Sequence, residues 1–154
     1  MSSVPGDRPT GMTEQDCALK PFEALIGNWS IEAKHRLIDD TVTGSVTFEW
    51  LEGGRFVIQR AHYDHELIPD AISIIGAPEV GNGLVMEYFD SRGVRRTYRI
   101  SLEHGELRFW RDHPGFDQRF IATLGPEVFE GVVQLAETPG DWRDDMKIVY
   151  RRCD

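Results

Sequence analysis

The side chains with chemical potential in this 154-residue sequence are five histidines, two cysteines and a set of arginines and tyrosines in its second half. His62-Tyr63-Asp64-His65 has the composition of a metal motif, but residues three apart on a strand point to opposite faces, so this spacing makes no zinc site. His35 follows Trp29, Ile31 and Ala33 at period two and is expected on their inward face, as a satisfied structural residue or as a polar participant in a site. His104 and His113 fall in turns. Glu49 and Glu87 lie on strands where nothing pairs them as acid and base. The chain contains no nucleophile elbow, phosphate loop, dinucleotide fingerprint or cysteine cluster, so any chemistry would depend on a cavity.

Tyr88, Arg96, Tyr98, Arg111 and Gln118 carry a different signal, because strand phasing gathers them on one otherwise apolar face. Opposed residues of an antiparallel pair share a face, so loop length fixes which parity meets which. A three-residue loop at Ser91-Arg92-Gly93 opposes Tyr88 to Arg96, Met86 to Tyr98 and Leu84 to Ile100. A two-residue turn at His104-Gly105 opposes Leu102 to Leu107, Ile100 to Phe109 and Tyr98 to Arg111. A four-residue loop, Asp112 to Gly115, opposes Arg111 to Phe116, Phe109 to Gln118 and Leu107 to Phe120, and a tight Gly125-Pro126 turn delivers Phe129, Val133 and Leu135. An interior arginine is costly unless paired. Arg111 therefore meets an internal glutamate, escapes at the rim, or joins Tyr98 and Gln118 in awaiting the acidic or carbonyl end of a small molecule. In the last case Met86, Ile100, Leu102, Phe109, Phe120 and Phe129 supply the apolar wall.

Strands must position these residues. From Asn28 onward, alternation and turn signals predict ten of them, over 28–38, 43–51, 55–64, 71–77, 83–90, 94–103, 106–112, 116–124, 127–137 and 142–152. Before them, Pro21 suits the start and Gly27 the end of one short capping helix, with Phe22, Leu25 and Ile26 on one side. Residues 1–16 read as a disordered tail and 17–154 as a single domain. The second hairpin is ambiguous. A two-residue Gly53-Gly54 turn puts Val57, Gln59, Ala61 and Tyr63 inside; a three-residue Glu52-Gly53-Gly54 loop, favoured by its bulkier pair Phe56 and Ile58, puts Arg60 and His62 there.

Seventeen basic residues against 26 acidic ones give a formal charge of -9. That leaves no basic footprint for nucleic acid or anionic lipid. Met1 to Lys20 lacks the apolar stretch of a secretory signal, and the longest apolar run, Ala71 to Ala77, is far short of a membrane span, so a cytoplasmic, soluble protein is expected. In that compartment Cys17 and Cys153 are expected as free thiols.

Leu25-Ile26-Gly27-Asn28-Trp29, a short helix running into Gly-x-Trp at the first strand, resembles the start of lipocalins, fatty-acid-binding proteins and nitrobindins, together called calycins. Val149-Tyr150-Arg151-Arg152 resembles the final strand whose arginine packs over that tryptophan, with Arg151 or Arg152 in the role. Phe48-Glu49-Trp50-Leu51-Glu52-Gly53-Gly54-Arg55-Phe56 resembles the second hairpin of bacterial lipocalin-like proteins with the nitrobindin layout. The resemblance, over residues 21 to 153, implies a ten-stranded up-and-down barrel closed at Gly27, Trp29 and Arg151, taking a hydrophobic ligand. Nitrobindins hold heme through a histidine on a late strand. This chain has none after His113, and it reads Ser30-Ile31-Glu32-Ala33-Lys34-His35 where nitrobindins carry a glycine-rich Tyr-Pro stretch.

The leading expectation is a non-catalytic all-β barrel binding a small hydrophobic or amphipathic, acidic molecule, with neither metal nor cofactor. The alternatives are an enzyme, of heme type or a cofactor-free isomerase or decarboxylase using His35, His62 or Arg60, and a filled barrel that binds a partner or a second copy through outward Phe89 and Trp110.

Overall fold

The computed structural model describes residues 13–153. Among them a helix, α1 (Glu14–Leu19), runs into a 3-10 turn (Lys20–Leu25). Ten strands follow: β1 (Gly27–His35), β2 (Val42–Trp50), β3 (Phe56–Tyr63), β4 (Ala71–Gly76), β5 (Leu84–Asp90), β6 (Arg95–Glu103), β7 (Glu106–Arg111), β8 (Asp117–Thr123), β9 (Val128–Ala136) and β10 (Arg143–Cys153). Each pairs antiparallel with the next and β10 pairs with β1, so the sheet closes and leaves no edge strand. The expected ten-stranded barrel with an N-terminal helical cap is what the chain forms. Among the described residues no helix is long and apolar enough to cross a membrane.

Alternation builds the interior. On β1, Trp29, Ile31 and Ala33 are buried while Asn28, Ser30, Glu32 and Lys34 are exposed. One end is plugged by Phe22 and Leu25, both fully buried. The Trp29 indole N–H donates to the Leu25 carbonyl at 2.9 Å, tying the plug to the first strand. Beneath it Phe129 meets Trp29 edge-on at 5.0 Å and stacks on Tyr150 at 4.3 Å. Each such buried side chain contributes roughly 1.5–3 kcal/mol.

Arg152 seals this end. Its guanidinium lies 4.3 Å from the Trp29 ring and donates to the carbonyls of Ala24, Ile26 and Pro126 at 2.8, 2.9 and 3.0 Å. Gly27 takes a φ of 130°, which other residues rarely adopt, and a Cβ there would also come within 2.9 Å of that guanidinium. Of the two arginines the resemblance left open, Arg151 is therefore not the closing one. On β10 Ile148, Tyr150 and Arg152 point inward, and Arg151 is exposed on the outer face.

Three further expectations are corrected. Of the tail expected over 1–16, residues 1–12 lie outside the described residues, whereas Thr13 to Asp16 open α1. There the Thr13 hydroxyl accepts from the Asp16 N–H at 3.0 Å and the Asp16 carboxylate accepts from the Thr13 N–H at 3.1 Å, a reciprocal cap. The β2–β3 hairpin takes the two-residue register, with Trp50 opposite Val57 and Phe48 opposite Gln59. The connection itself spans Glu52 to Arg55, a loop of the same parity: the Gly54 N–H donates to the Leu51 carbonyl and the Leu51 N–H to the Phe56 carbonyl, both at 2.9 Å, and Gly53 and Gly54 take positive φ, 97° and 71°. Arg60 and His62 consequently lie on the outer face. Finally, β7 and β8 pair Arg111 with Gln118 and Phe109 with Phe120, two residues from the expected register, because Phe116 stays in the loop. A shift of two preserves the face.

Candidate functional site

The β1–β2, β3–β4, β5–β6, β7–β8 and β9–β10 loops ring the other end of the barrel, where a cavity of about 280 Å³ opens. Below it only about 20 Å³ of space remains between side chains such as Phe22, Phe48 and Phe129. Gln59, Phe109, Phe120 and Tyr150 border both spaces and form the cavity floor. The lower half of the barrel is a packed core and the upper half encloses a cavity.

One wall is a run of aromatic rings from neighbouring strands. Tyr88 meets Tyr98 edge-on at 6.1 Å, Tyr98 meets Phe109 edge-on at 5.1 Å, and Phe109 stacks on Phe120 at 4.8 Å. Strand pairing produces this row, since Met86 opposes Tyr98, Ile100 opposes Phe109 and Phe109 opposes Phe120. The Tyr98 hydroxyl donates to the Gln118 side-chain oxygen at 3.1 Å, which orients the Gln118 amide at the mouth.

Charge is concentrated at the mouth. Asp90, its side chain fully enclosed, accepts from the Tyr88 hydroxyl at 2.7 Å, from the Arg92 guanidinium at 2.7 Å and from the Arg92 backbone N–H at 2.9 Å. Burial alone would raise the Asp90 carboxyl, but these donors outweigh it and hold the group well below the usual carboxylate range. Burial, seconded by Asp90, raises the Tyr88 hydroxyl. Asp145 pairs with Arg36 at 2.8 Å and faces His35 Nε2 at 3.8 Å, while His35 Nδ1 accepts from the Leu37 N–H at 3.1 Å.

Two arginines differ from these. Arg96 lines the cavity with its guanidinium 5.5 Å from the Phe116 ring, and Arg111 is half-buried at the rim. Neither has a carboxylate partner among the described residues, although the neighbouring Arg36 and Arg92 do. Burial raises the Tyr98 hydroxyl, and both arginines oppose that rise, which places them close to it.

Of the residues singled out in the sequence, Met86, Tyr88, Arg96, Tyr98, Phe109, Gln118, Phe120 and His35 line the cavity together. Ile100 and Phe129 belong to the packed half instead. Arg111 stands beside the cavity without lining it. Arg60 is exposed and paired with Glu49, and His62 is exposed between Asp64 and Asp70, so neither reaches the interior. Cys17 and Cys153 are free and exposed. Phe89 and Trp110 sit on the outer face, Phe89 beneath the Arg95 guanidinium at 5.2 Å.

Sequence reasoning missed Gln59, Tyr63, Ser73, Arg92 and Tyr150, all cavity-lining. The two-residue hairpin register would have found Gln59 and Tyr63. A larger groove, about 420 Å³, lies outside the closed end, and four of its lining groups already pair: Asp16 with Arg55 at 3.2 Å and Glu23 with the Trp50 indole N–H at 2.9 Å.

His35 is the cavity's one lining histidine among the described residues; its Nδ1 accepts from the Leu37 N–H and its Nε2 faces Asp145.

No protein-family model matches this chain, and no curated protein matches it. Its fold does match solved structures. One is described as the crystal structure of Rv2717c from M. tuberculosis, with a TM-score of 0.66 and 12% sequence identity over 89% of this chain and 98% of that one. At that identity the likeness is one of barrel fold alone.

Proposed function

We propose that this protein is a non-catalytic binding barrel for a small amphipathic acid, held in the upper cavity with its carboxylate at the mouth. The observation that carries this reading is the pair of guanidiniums, Arg96 and Arg111, that lack a carboxylate partner among the described residues while a half-empty barrel opens beside them. A partly desolvated guanidinium favours an anion, and a carboxylate matches its fork of donors. Tyr98 and Gln118 supply the adjoining polar contacts, and the ring row supplies apolar surface. The apolar wall is shorter than the sequence suggests, running through Met86, Phe109 and Phe120, since Ile100 and Phe129 lie below the floor. Calorimetric titration of a carboxylated probe into the wild type and into Arg96→Ala tests the reading. Binding that weakens in the variant, with unchanged unfolding, supports it; equal binding by both removes it.

A further inference from the structure

Resting on that acid-binding reading, we propose that the ligand is a planar aromatic acid carrying a second, uncharged polar group at its inner end, of the hydroxybenzoate or hydroxycinnamate class. The depth of the cavity carries the inner group. Ser73 is 4% exposed and Tyr150 is 5% exposed, both line the cavity, and neither hydroxyl has a hydrogen-bond partner among the described residues. The Gln59 amide on the floor and the Tyr63 hydroxyl on the wall share that lack of a partner. Buried polar groups are ordinarily satisfied, and an acyl tail pushed down to this floor would seal the buried Ser73 and Tyr150 hydroxyls, with the half-buried Gln59 and Tyr63 beside them, against hydrocarbon. A hydroxyl or carbonyl at the inner end of the ligand satisfies them instead.

The inner group is neutral because, among the described residues, no cation lies at the inner end. The arginines lining the cavity are Arg92 and Arg96, both beside the mouth loops. Burial pushes the Tyr63 hydroxyl up to about 12 and the Tyr150 hydroxyl well above its ordinary value, with Tyr63 adding to the rise at Tyr150. Near neutral pH both are therefore intact O–H groups, able to donate and accept. The charged end of the ligand points outward to Arg96 and the uncharged polar end points inward.

The walls carry the planar ring. Tyr88, Tyr98, Phe109 and Phe120 form a continuous face in edge-on and stacked contacts, against which a flat π-system can add one more ring in either geometry. The volume of about 280 Å³ suits one ring with short substituents at its two ends.

Isothermal titration of the full chain with 4-hydroxybenzoate and 4-hydroxycinnamate, each against its unhydroxylated parent, tests this directly. At least one hydroxylated acid is expected to bind about tenfold more tightly than its parent, the effect of one well-made buried hydrogen bond. Tyr150→Phe and Ser73→Ala are expected to bring that ratio toward one, with circular dichroism confirming that both variants fold. Both parents binding as tightly as their hydroxylated forms, or a preference that survives both substitutions, overturns the inference. Octanoate binding with all four aromatic acids rejected overturns it while leaving the acid-binding reading intact. 4-Hydroxybenzamide binding as tightly as its acid overturns the acid-binding reading, and with it the orientation inferred here. No binding by any of these compounds up to millimolar concentration overturns both.

Discussion

Arg96 and Asp90 sit on adjacent strands and show opposite uses of charge at one rim. Arg96 faces the cavity without a carboxylate, so Arg96→Ala leaves no charge stranded and should not change unfolding. Losing one charge-assisted hydrogen bond, about 1.5–3 kcal/mol, should weaken binding of a carboxylated ligand about ten- to hundredfold. Arg111→Ala, at the rim and not on the wall, should cost less in the same titration. Asp90 is structural. Its folded pKa lies below the ordinary 3.8, so the stability it confers is fully present above that value and is lost as pH falls through the folded value. Asp90→Asn should lower stability at neutral pH by about 1.5–3 kcal/mol and flatten the acid limb of a stability curve followed by urea unfolding from pH 7 to pH 2. Tyr88, Arg96, Tyr98 and Gln118 were legible in the sequence because hairpin turns fix parity, and parity survived even where the register slipped by two. Ser73 was not, because Ala71 to Gly76 is apolar on both faces and gives no alternation to phase. Gln59 and Tyr63 hung on one hairpin, where adjacent glycines permit loops of two lengths and the bulk of Phe56 and Ile58 pointed to the wrong one.

Among the elements, the β3–β4 loop, residues 64–70, carries a pH-dependent contact at the mouth. Leu67, Ile68 and Pro69 line the cavity, and both ends of the loop are held by one imidazole: His62 Nδ1 lies 2.8 Å from Asp70 and Nε2 lies 2.9 Å from Asp64. Only the protonated ring can donate to both. The hydrogen bond to Asp70, then that to Asp64, raises the His62 pKa above 6.5. The contribution of this clamp is therefore fully present below pH 6.5 and is lost as pH rises through the higher folded value. NMR titration should find a His62 midpoint above 6.5, with amide exchange in 64–70 growing faster than the intrinsic rate as that midpoint is passed. A midpoint at or below 6.5 would contradict the clamp. At the closed end, Arg152→Ala removes the donor to three carbonyls and the cation over Trp29, and should cost about 2–4 kcal/mol by chemical denaturation. Arg152→Lys should recover little, lacking the planar fork. Both the closing tryptophan and the presence of an arginine were legible in Gly27-Asn28-Trp29 and the final strand. Which arginine was not, because Arg151 and Arg152 are adjacent and only the inward phase of β10 separates them. The start of α1 was missed for a similar local reason: Thr13 and Asp16 form a cap with few apolar neighbours to announce a helix.

As a whole, the molecule is a barrel filled from one end. The plug of Phe22 and Leu25, the Trp29–Phe129–Tyr150 stack and the floor above it account for the lower half, which is packed by side chains alone. The upper half keeps an opening and, among the described residues, buried hydroxyls without partners and guanidiniums without carboxylates, a combination that a purely structural interior would be expected to eliminate. The central claim is that a small acid occupies this space with Arg96 at its carboxylate. The most direct measurement is a native mass spectrum of freshly purified protein beside its denatured mass, repeated on Arg96→Ala, with both proteins first incubated in a small-molecule extract of the cells that produced them. The account predicts a reproducible excess mass corresponding to a small organic acid on the wild type, absent or strongly reduced on the variant. An excess that persists undiminished on Arg96→Ala, or a wild type that remains bare polypeptide after incubation, would contradict it.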